Sequence, residues 1–293
     1  MSEPAPIRLA VVGLGLIGGS LARALRDAGV VASISGYDSD PVQVAAALKL
    51  GVIDRAGADA ADAVRGADVA VIAVPVLATA AAFAACKLGL SSDTILTDVG
   101  STKQSVLTAV RSVFGEVPAR FVAAHPIAGT EKSGVANAVP GLFRNHRLIL
   151  TPHAAQDAQA LATVERLWTA TGARVVKMDA ARHDAIFAAT SHLPHLLAYS
   201  FVDMLDQLEG ADADIFPNAG GGFRDFTRIA SSSPRMWHDI LRANAKPVAA
   251  LLKKQIDELS RLHDMIERGD WDAMHAVFER ARAARERHLT RIE

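Results

Sequence analysis

Ile7-Arg8-Leu9-Ala10-Val11-Val12-Gly13-Leu14-Gly15-Leu16-Ile17-Gly18 decides the fold of this chain. The first six residues form an apolar run broken only by Arg8, and that length and branching predict a buried strand. Three glycines spaced G-x-G-x-x-G follow at once, and the pattern then turns helical. Gly13 suits a tight turn, Gly15 lets the backbone approach a diphosphate, and Gly18 lets the helix pack on the strand. Leu16 and Ile17 open that helix, where free N–H groups and a positive partial charge favour an anion. Alone the spacing is a weak signal. It gains weight from Asp38, twenty residues after Gly18, at the end of a second strand predicted over Ser33 to Asp38. A carboxylate there holds both ribose hydroxyls and repels a 2′-phosphate, and no arginine follows it immediately. The expected cofactor is therefore NAD. The plainer alternative for Asp38 is a turn former or helix cap ahead of Pro41.

Working outward, strand and helix patterns alternate. Strands are predicted over Asp68 to Pro75, Thr94 to Val99, Phe121 to Ala124, Arg147 to Leu150 and Arg174 to Met178, with helices over Pro41 to Leu50 and Lys103 to Phe114. Such alternation implies a Rossmann-type, doubly wound, mostly parallel sheet with helices on both faces. Val74-Pro75 closes one buried strand at the carboxyl edge, where such folds seat the adenosine side or the nicotinamide ribose. After Asp179 the strands stop. Ala180 to Leu208 is helical by pattern, Gly220-Gly221-Gly222 is a break, and Pro234 onward is helical again. Pro247 either begins a helix or kinks one. Val248, Leu252, Ile256, Leu259 and Ile266 form an apolar stripe. The expected division is a dinucleotide-binding domain over 1–179 and an all-α substrate and dimerisation domain over 180–293. A homodimer through the C-terminal helices would bury the stripe; an intramolecular bundle is the alternative.

Composition narrows the partners. The chain has 293 residues, half of them apolar and 22% charged, with net charge −1. That is a globular composition without a field to attract nucleic acid or an anionic membrane. A single cysteine, Cys86, excludes an internal disulfide and suits a reducing compartment. No membrane span is expected, and the first residues lack the basic and apolar parts of a signal peptide. A cytoplasmic protein is expected, acting on a small molecule.

Two loops at predicted strand ends hold candidate chemistry. In Asp98-Val99-Gly100-Ser101-Thr102-Lys103, Ser101 is either a helix cap or a ligand, and Gly100 allows a ligand close approach. His125-Pro126-Ile127-Ala128-Gly129-Thr130-Glu131-Lys132-Ser133-Gly134 puts an imidazole, which titrates near neutral pH, at the ligand edge of the sheet. A lone His-Pro reads first as a satisfied histidine before a turn, and the rest of the chain reverses that reading. Together the two loops predict that Ser101 and His125 meet beside the nicotinamide. Glu131 and Lys132 either tune that site or pair with each other at the surface. His192 and His195 share a helix face. Hydride transfer needs no metal, no carboxylate or thiol completes a cage around them, and none is expected. Trp237 reads as a packing anchor and Arg224 as a solvent-facing arginine.

These motifs, with Ser191-His192-Leu193-Pro194-His195 and Gly220-Gly221-Gly222-Phe223-Arg224-Asp225-Phe226-Thr227-Arg228-Ile229-Ala230, resemble the prephenate dehydrogenase family, which includes arogenate and cyclohexadienyl dehydrogenases. Thr102 departs from the pattern, since valine is frequent there. The resemblance implies NAD-dependent oxidative decarboxylation of a cyclohexadienol in tyrosine biosynthesis. It implies His125 as the base, Ser101 as its partner at the substrate hydroxyl, and Arg228 as the carboxylate-binding cation. It places His195, Glu131 and Gly222 near the substrate. Any tyrosine inhibition would act at or near the active site. Two alternatives stand beside this reading: a β-hydroxyacid or imino-acid oxidoreductase, which would lean on a catalytic lysine, and a non-catalytic NAD sensor, which would lack the polar cluster.

Overall fold

Strands β1 (Ile7–Val12), β2 (Val31–Tyr37), β3 (Arg55–Ala56), β4 (Val69–Ile72), β5 (Ile95–Asp98) and β6 (Phe121–Val122) form one parallel sheet, in the order β3-β2-β1-β4-β5-β6. The computed structural model describes residues 5–130, 132–209 and 215–292. Successive strand residues point to opposite faces, so β1 feeds two cores: Leu9 and Val11 join one, Ala10 and Val12 the other. Helices α1 (Leu16–Asp27) and α2 (Pro41–Lys49) supply the first core with Leu21, Leu25 and Ala47. Helices α3 (Ala60–Val64), α4 (Thr79–Cys86) and α5 (Lys103–Phe114) supply the second with Val64, Phe83, Val106 and Val110. Burial on both faces is why β1 reads as a nearly continuous apolar run. Cys86 is one of these buried core residues.

The sequence predicts one strand from Phe121 to Ala124. The structure divides it. Phe121 and Val122 pair with β5, whereas Ala124 to Pro126 form β7, which leaves the first sheet and pairs antiparallel with β8 (Arg147–Leu150). β9 (Arg174–Lys177) completes this second sheet, parallel to β8, and α6 (Ala158–Ala170) packs Val164, Leu167 and Trp168 into the first core. Four residues of apolar character do not show where hydrogen bonding changes partner, so the break is invisible to periodicity. It aims His125 out of the first sheet.

Beyond β9 every described element is helical: α7 (Ala180–Phe187), a π turn over Ala188–His192, α8 (Leu193–Glu209), α9 (Gly221–Thr227), α10 (Pro234–Ala243), α11 (Ala245–Arg268) and α12 (Trp271–Ile292). The π turn ends two residues before Pro194, whose missing N–H and ring disfavour regular helix upstream. The Rossmann-type, mostly parallel sheet followed by an all-α part is thus the fold the sequence predicts. Met1–Ala245 and Lys246–Glu293 form separate compact units. In the second, Pro247 lies in the first turn of α11 and so begins that helix. Of the apolar stripe on α11, Ile256, Leu259 and Ile266 are each about half exposed. Among the described residues no helix is long and apolar enough to cross a membrane.

Candidate active site

The carboxyl ends of β1, β4 and β5 and the start of β7 lie along one edge of the fold. At β1, Gly13 has φ +101°, and a Cβ there would sit 2.3 Å from the Ala73 carbonyl oxygen. A Cβ on Gly18 would meet the Gly13 oxygen at 2.1 Å. Only glycine fits either position. Around Gly15 a Cβ would meet nothing within 4 Å. The open face is the one a diphosphate would approach. The N–H groups of Leu16, Ile17 and Gly18 have no acceptor among the described residues, as expected at a helix start without a side-chain cap. Asp38 is not the cap of α2, which is Asp40. Its Oδ2 accepts from Leu14 N at 2.7 Å and its Oδ1 from Asp40 N at 2.9 Å. The carboxylate therefore stands against the glycine loop. Val74 and Pro75 follow β4, next to Ala73, whose N–H bonds Val12 O at 2.7 Å. Glycine cradle, open helix terminus and adjacent carboxylate fit a dinucleotide.

Gly100 has a different explanation from ligand approach. A Cβ there would lie 3.0 Å from Asp98 Oδ2 and 3.2 Å from Val106, so the glycine makes room for the buried carboxylate. Asp98 is an organiser of this edge. It accepts from Gly100 N at 2.7 Å, Ala124 N at 3.1 Å and Lys103 Nζ at 2.6 Å. Lys103, wholly buried, also donates to Ala124 O at 2.5 Å. Both polar backbone groups of Ala124 are thus held by one ion pair, immediately before His125. Burial draws the Lys103 ammonium down from its ordinary range, and Asp98 and Asp184 oppose that.

His125 is half-buried, and its Nδ1 lies 2.8 Å from His183 Nε2. His183 Nδ1 lies 2.8 Å from Asp184 Oδ1. The Asp184 carboxylate also caps α5, accepting from Lys103 N at 2.7 Å and Gln104 N at 2.9 Å. Ser101, which the sequence offers as that cap or as a partner of His125, makes neither contact among the described residues. It sits half-buried in the β5–α5 turn with no side-chain hydrogen bond among the described residues. Thr102 occupies the cap position, and its hydroxyl lies 2.6 Å from that of Ser105. Phe187 packs edge-on to the His125 ring, with centroids 4.9 Å apart. Burial holds His125 well below the ordinary histidine range, reinforced by His183, Lys103 and His192. Burial also lowers His183, against its bond to Asp184. For Asp184, burial would raise the carboxyl, but the bonds from His183, Lys103 and Gln104 outweigh it and hold it low.

A second group stands on α8 to α10. His195 donates from Nδ1 to Ser191 O at 2.8 Å and stacks on Trp237, with ring centroids 3.5 Å apart and planes at 20°. Burial lowers His195, and the positive charge of Arg228 adds to this. Arg228 and Arg224 line a cavity of about 370 Å³ with Phe216, Gly220, Phe223 and Thr227. Arg224 therefore faces the same space as Arg228. Gly222, on the first turn of α9, has open space where a Cβ would be. Trp237 is buried, as an anchor should be, yet its indole N–H has no partner among the described residues. Glu131 lies outside the described residues, so its expected pairing with Lys132 is not described either. His192 does not share the open site with His195. It is 1% exposed and accepts at Nδ1 from the Asn244 amide at 3.0 Å. Burial pushes it down to about 4.

These neutral imidazoles make stability depend on pH. An unfolded histidine titrates near 6.5, and His192 folded titrates near 4. Between those values the unfolded chain binds more protons, so stability is complete above about pH 6.5 and is lost as pH falls. At pH 5 the loss from His192 is roughly 2 kcal/mol, to which His125 and His183 add. Urea midpoints should drop between pH 7 and pH 5, before most carboxylates titrate, and less in His192→Gln. A midpoint flat across that window would show that these rings are not held neutral.

Reasoning from sequence missed His183, Asp184, Lys103, Asp98 and Asn244. One signal was present: Lys103 opens α5, where a lysine opposes the helix dipole unless a carboxylate compensates it.

Two domain-family models match the chain in succession. Prephenate dehydrogenase, nucleotide-binding domain, matches residues 21–177, and prephenate dehydrogenase, dimerization domain, matches residues 179–280. The cyclohexadienyl dehydrogenase of Zymomonas mobilis is 37% identical over 94% of both chains. The prephenate dehydrogenase of Bacillus subtilis is 38% identical over 94% of this chain and 74% of its own length. The crystal structure of Aquifex aeolicus prephenate dehydrogenase in complex with hydroxyphenyl propionate and NAD+ superposes with a TM-score of 0.90 at 33% identity, each chain covered completely. The two models together span residues 21–177 and 179–280, most of the chain, which belongs to the prephenate dehydrogenase family.

Proposed function

We propose that this chain catalyses the NAD-dependent oxidative decarboxylation of prephenate to 4-hydroxyphenylpyruvate, a step of tyrosine biosynthesis. The observation that carries the reading is His125: a neutral imidazole at the ligand edge of a dinucleotide fold, held at Nδ1 and with no partner at Nε2 among the described residues. Gly13, Gly15, Leu16, Ile17, Gly18, Asp38, Val74 and Pro75 are assigned to the part of that edge that would hold NAD, and Gly100 acts there through the room it leaves for Asp98. NAD supplies, when bound, the acceptor for a hydride from the ring carbon that bears the hydroxyl. His125 takes the hydroxyl proton as that carbon becomes a carbonyl. Loss of the ring carboxylate as carbon dioxide then aromatises the ring, and the proton returns to the new phenolate. A weak base suffices, because hydride loss makes the hydroxyl strongly acidic.

Ser101, half-buried beside this edge and free of other bonds, is assigned to the substrate hydroxyl. Arg228 is assigned to a carboxylate, because a guanidinium offers a charged fork that never deprotonates. His195 supports the substrate side chain, with Gly222 and Glu131 assigned to the same end. Residues 1–179 bind the dinucleotide. Residues 180–293 contribute the substrate side and, through the exposed stripe on α11, the contact of a homodimer. The β-hydroxyacid alternative is disfavoured because Lys103, whose charge bears on His125, is buried and committed to Asp98 and Ala124.

Incubation with NAD and prephenate should yield NADH and 4-hydroxyphenylpyruvate in equal amounts. NADP should be used less well. Turnover of hydroxyacids but of neither prephenate nor arogenate would overturn the proposal. Arg228→Ala should raise the Michaelis constant for prephenate on the order of 100-fold, as expected when a charged carboxylate contact is lost, with NAD affinity little changed. An unaltered constant would remove Arg228 from the carboxylate site.

A further inference from the structure

The hydrogen-bond chain behind His125 has a direction that its geometry determines. Asp184 is tied to three donors: Lys103 N, Gln104 N and His183 Nδ1. A carboxylate at a helix N-terminus bonded to two backbone N–H groups is ionised and can only accept. His183 must therefore present Nδ1–H to it. In a neutral imidazole one nitrogen donates and the other accepts, so His183 Nε2 is an acceptor. Among the described residues its hydrogen-bond partner is His125 Nδ1, at 2.8 Å. That nitrogen must donate, and the lone pair of His125 is left on Nε2. The chain is enclosed. His183 and Asp184 are buried, with His183 0% and Asp184 1% exposed. Phe187 covers both rings, at 4.9 Å from His125 and 4.5 Å from His183. The other charged or titratable groups facing the pair are Lys103 on α5, Asp98 on β5 and His192 in the π turn.

We propose that His183 and Asp184 are positioning residues that hold His125 in its Nδ1–H form, so that Nε2 is the proton acceptor. The reverse polarity, with a cationic His183 donating to His125 Nδ1, would put the proton on His125 Nε2 and block the base. The same contacts support the imidazolium that forms when His125 takes a proton. Nδ1–H stays bonded to His183, and the ionised Asp184 stands one ring away. Asp184 thus couples two tasks, capping the helix that opens with Lys103 and polarising the histidine pair. This inference rests on the proposed role of His125 as base, but not on the identity of the substrate.

Nitrogen-15 histidine labelling of the full chain, with His125→Asn and His183→Gln for assignment, reads the protonated nitrogen in the resting protein without any substrate. At pH 7.5, His125 should carry its proton on Nδ1, the minor form of histidine in water. A proton on Nε2, or a cationic ring at His183, would overturn the proposal, whatever the protein turns over. Kinetics give a second reading. His183→Phe keeps the volume but removes the acceptor, and should lower kcat about 100-fold, leaving KM and NAD affinity within about threefold. His183→Gln keeps an acceptor for His125 Nδ1–H and should remain within about tenfold of the parent. Equal losses in the two variants, or losses confined to KM, would contradict the positioning role. If His183→Phe does not fold, the spectrum and the Gln variant still decide. Inactivity of the parent with prephenate, alongside the Nδ1–H form, would refute the proposed substrate and leave this inference intact.

Discussion

His125→Asn should lower kcat with prephenate by about 10²- to 10⁴-fold, the range for loss of a positioned general base, while NAD still binds. The cause is local. The substitution removes the unpartnered Nε2 at the ligand edge and keeps a small polar side chain, so the held backbone of Ala124 is undisturbed. The loss belongs in kcat because proton transfer occurs only as the hydride leaves. Loss confined to KM would make His125 a binding group. Activity within about threefold of the parent would remove it from the chemistry.

Lys103→Met should destabilise the fold by about 3–5 kcal/mol, the usual result of removing one member of a buried ion pair. Among the described residues the ammonium is the one side-chain cation paired with Asp98, and it donates to Ala124 O. Without it a 1%-exposed carboxylate keeps only the N–H groups of Gly100 and Ala124. At roughly 2–4 °C per kcal/mol for a chain of this size, melting should fall by about 10 °C. Lys103→Met combined with Asp98→Leu should recover part of that, since an apolar pair avoids the stranded charge. A melting point unchanged in the single variant would show the pair to be dispensable. Activity should fall too, because β7 is anchored at Ala124 by these contacts and His125 is the next residue.

Much of the cofactor end is legible from residues alone, because its logic is local. A glycine at φ +101°, a second against its carbonyl, and a carboxylate on the next strand lie within a short stretch of chain. The chemical end is legible only in part. His125 is visible because it follows an apolar strand, but its partner stands 58 residues away on α7. Asp184 caps a helix 80 residues upstream. Pattern reading assigns a helix start to its nearest polar residue, and so favours Ser101 over a carboxylate brought in by the fold. The handover from β6 to β7 is hidden for a related reason: Val122 and Ala124 look alike, and only their hydrogen-bond partners differ. Resemblance to a family supplied roles for Arg228 and His195 that a solvent-facing arginine and a helical histidine would not suggest by themselves.

A crystal structure with NAD and 4-hydroxyphenylpyruvate bound together would measure the distance from His125 Nε2 to the 4-hydroxyl oxygen. We expect about 3 Å, with Nδ1 still bonded to His183. A separation beyond about 6 Å with no bridging water, or a ring turned to offer Nδ1 to the ligand, would contradict the assignment of His125 as the base.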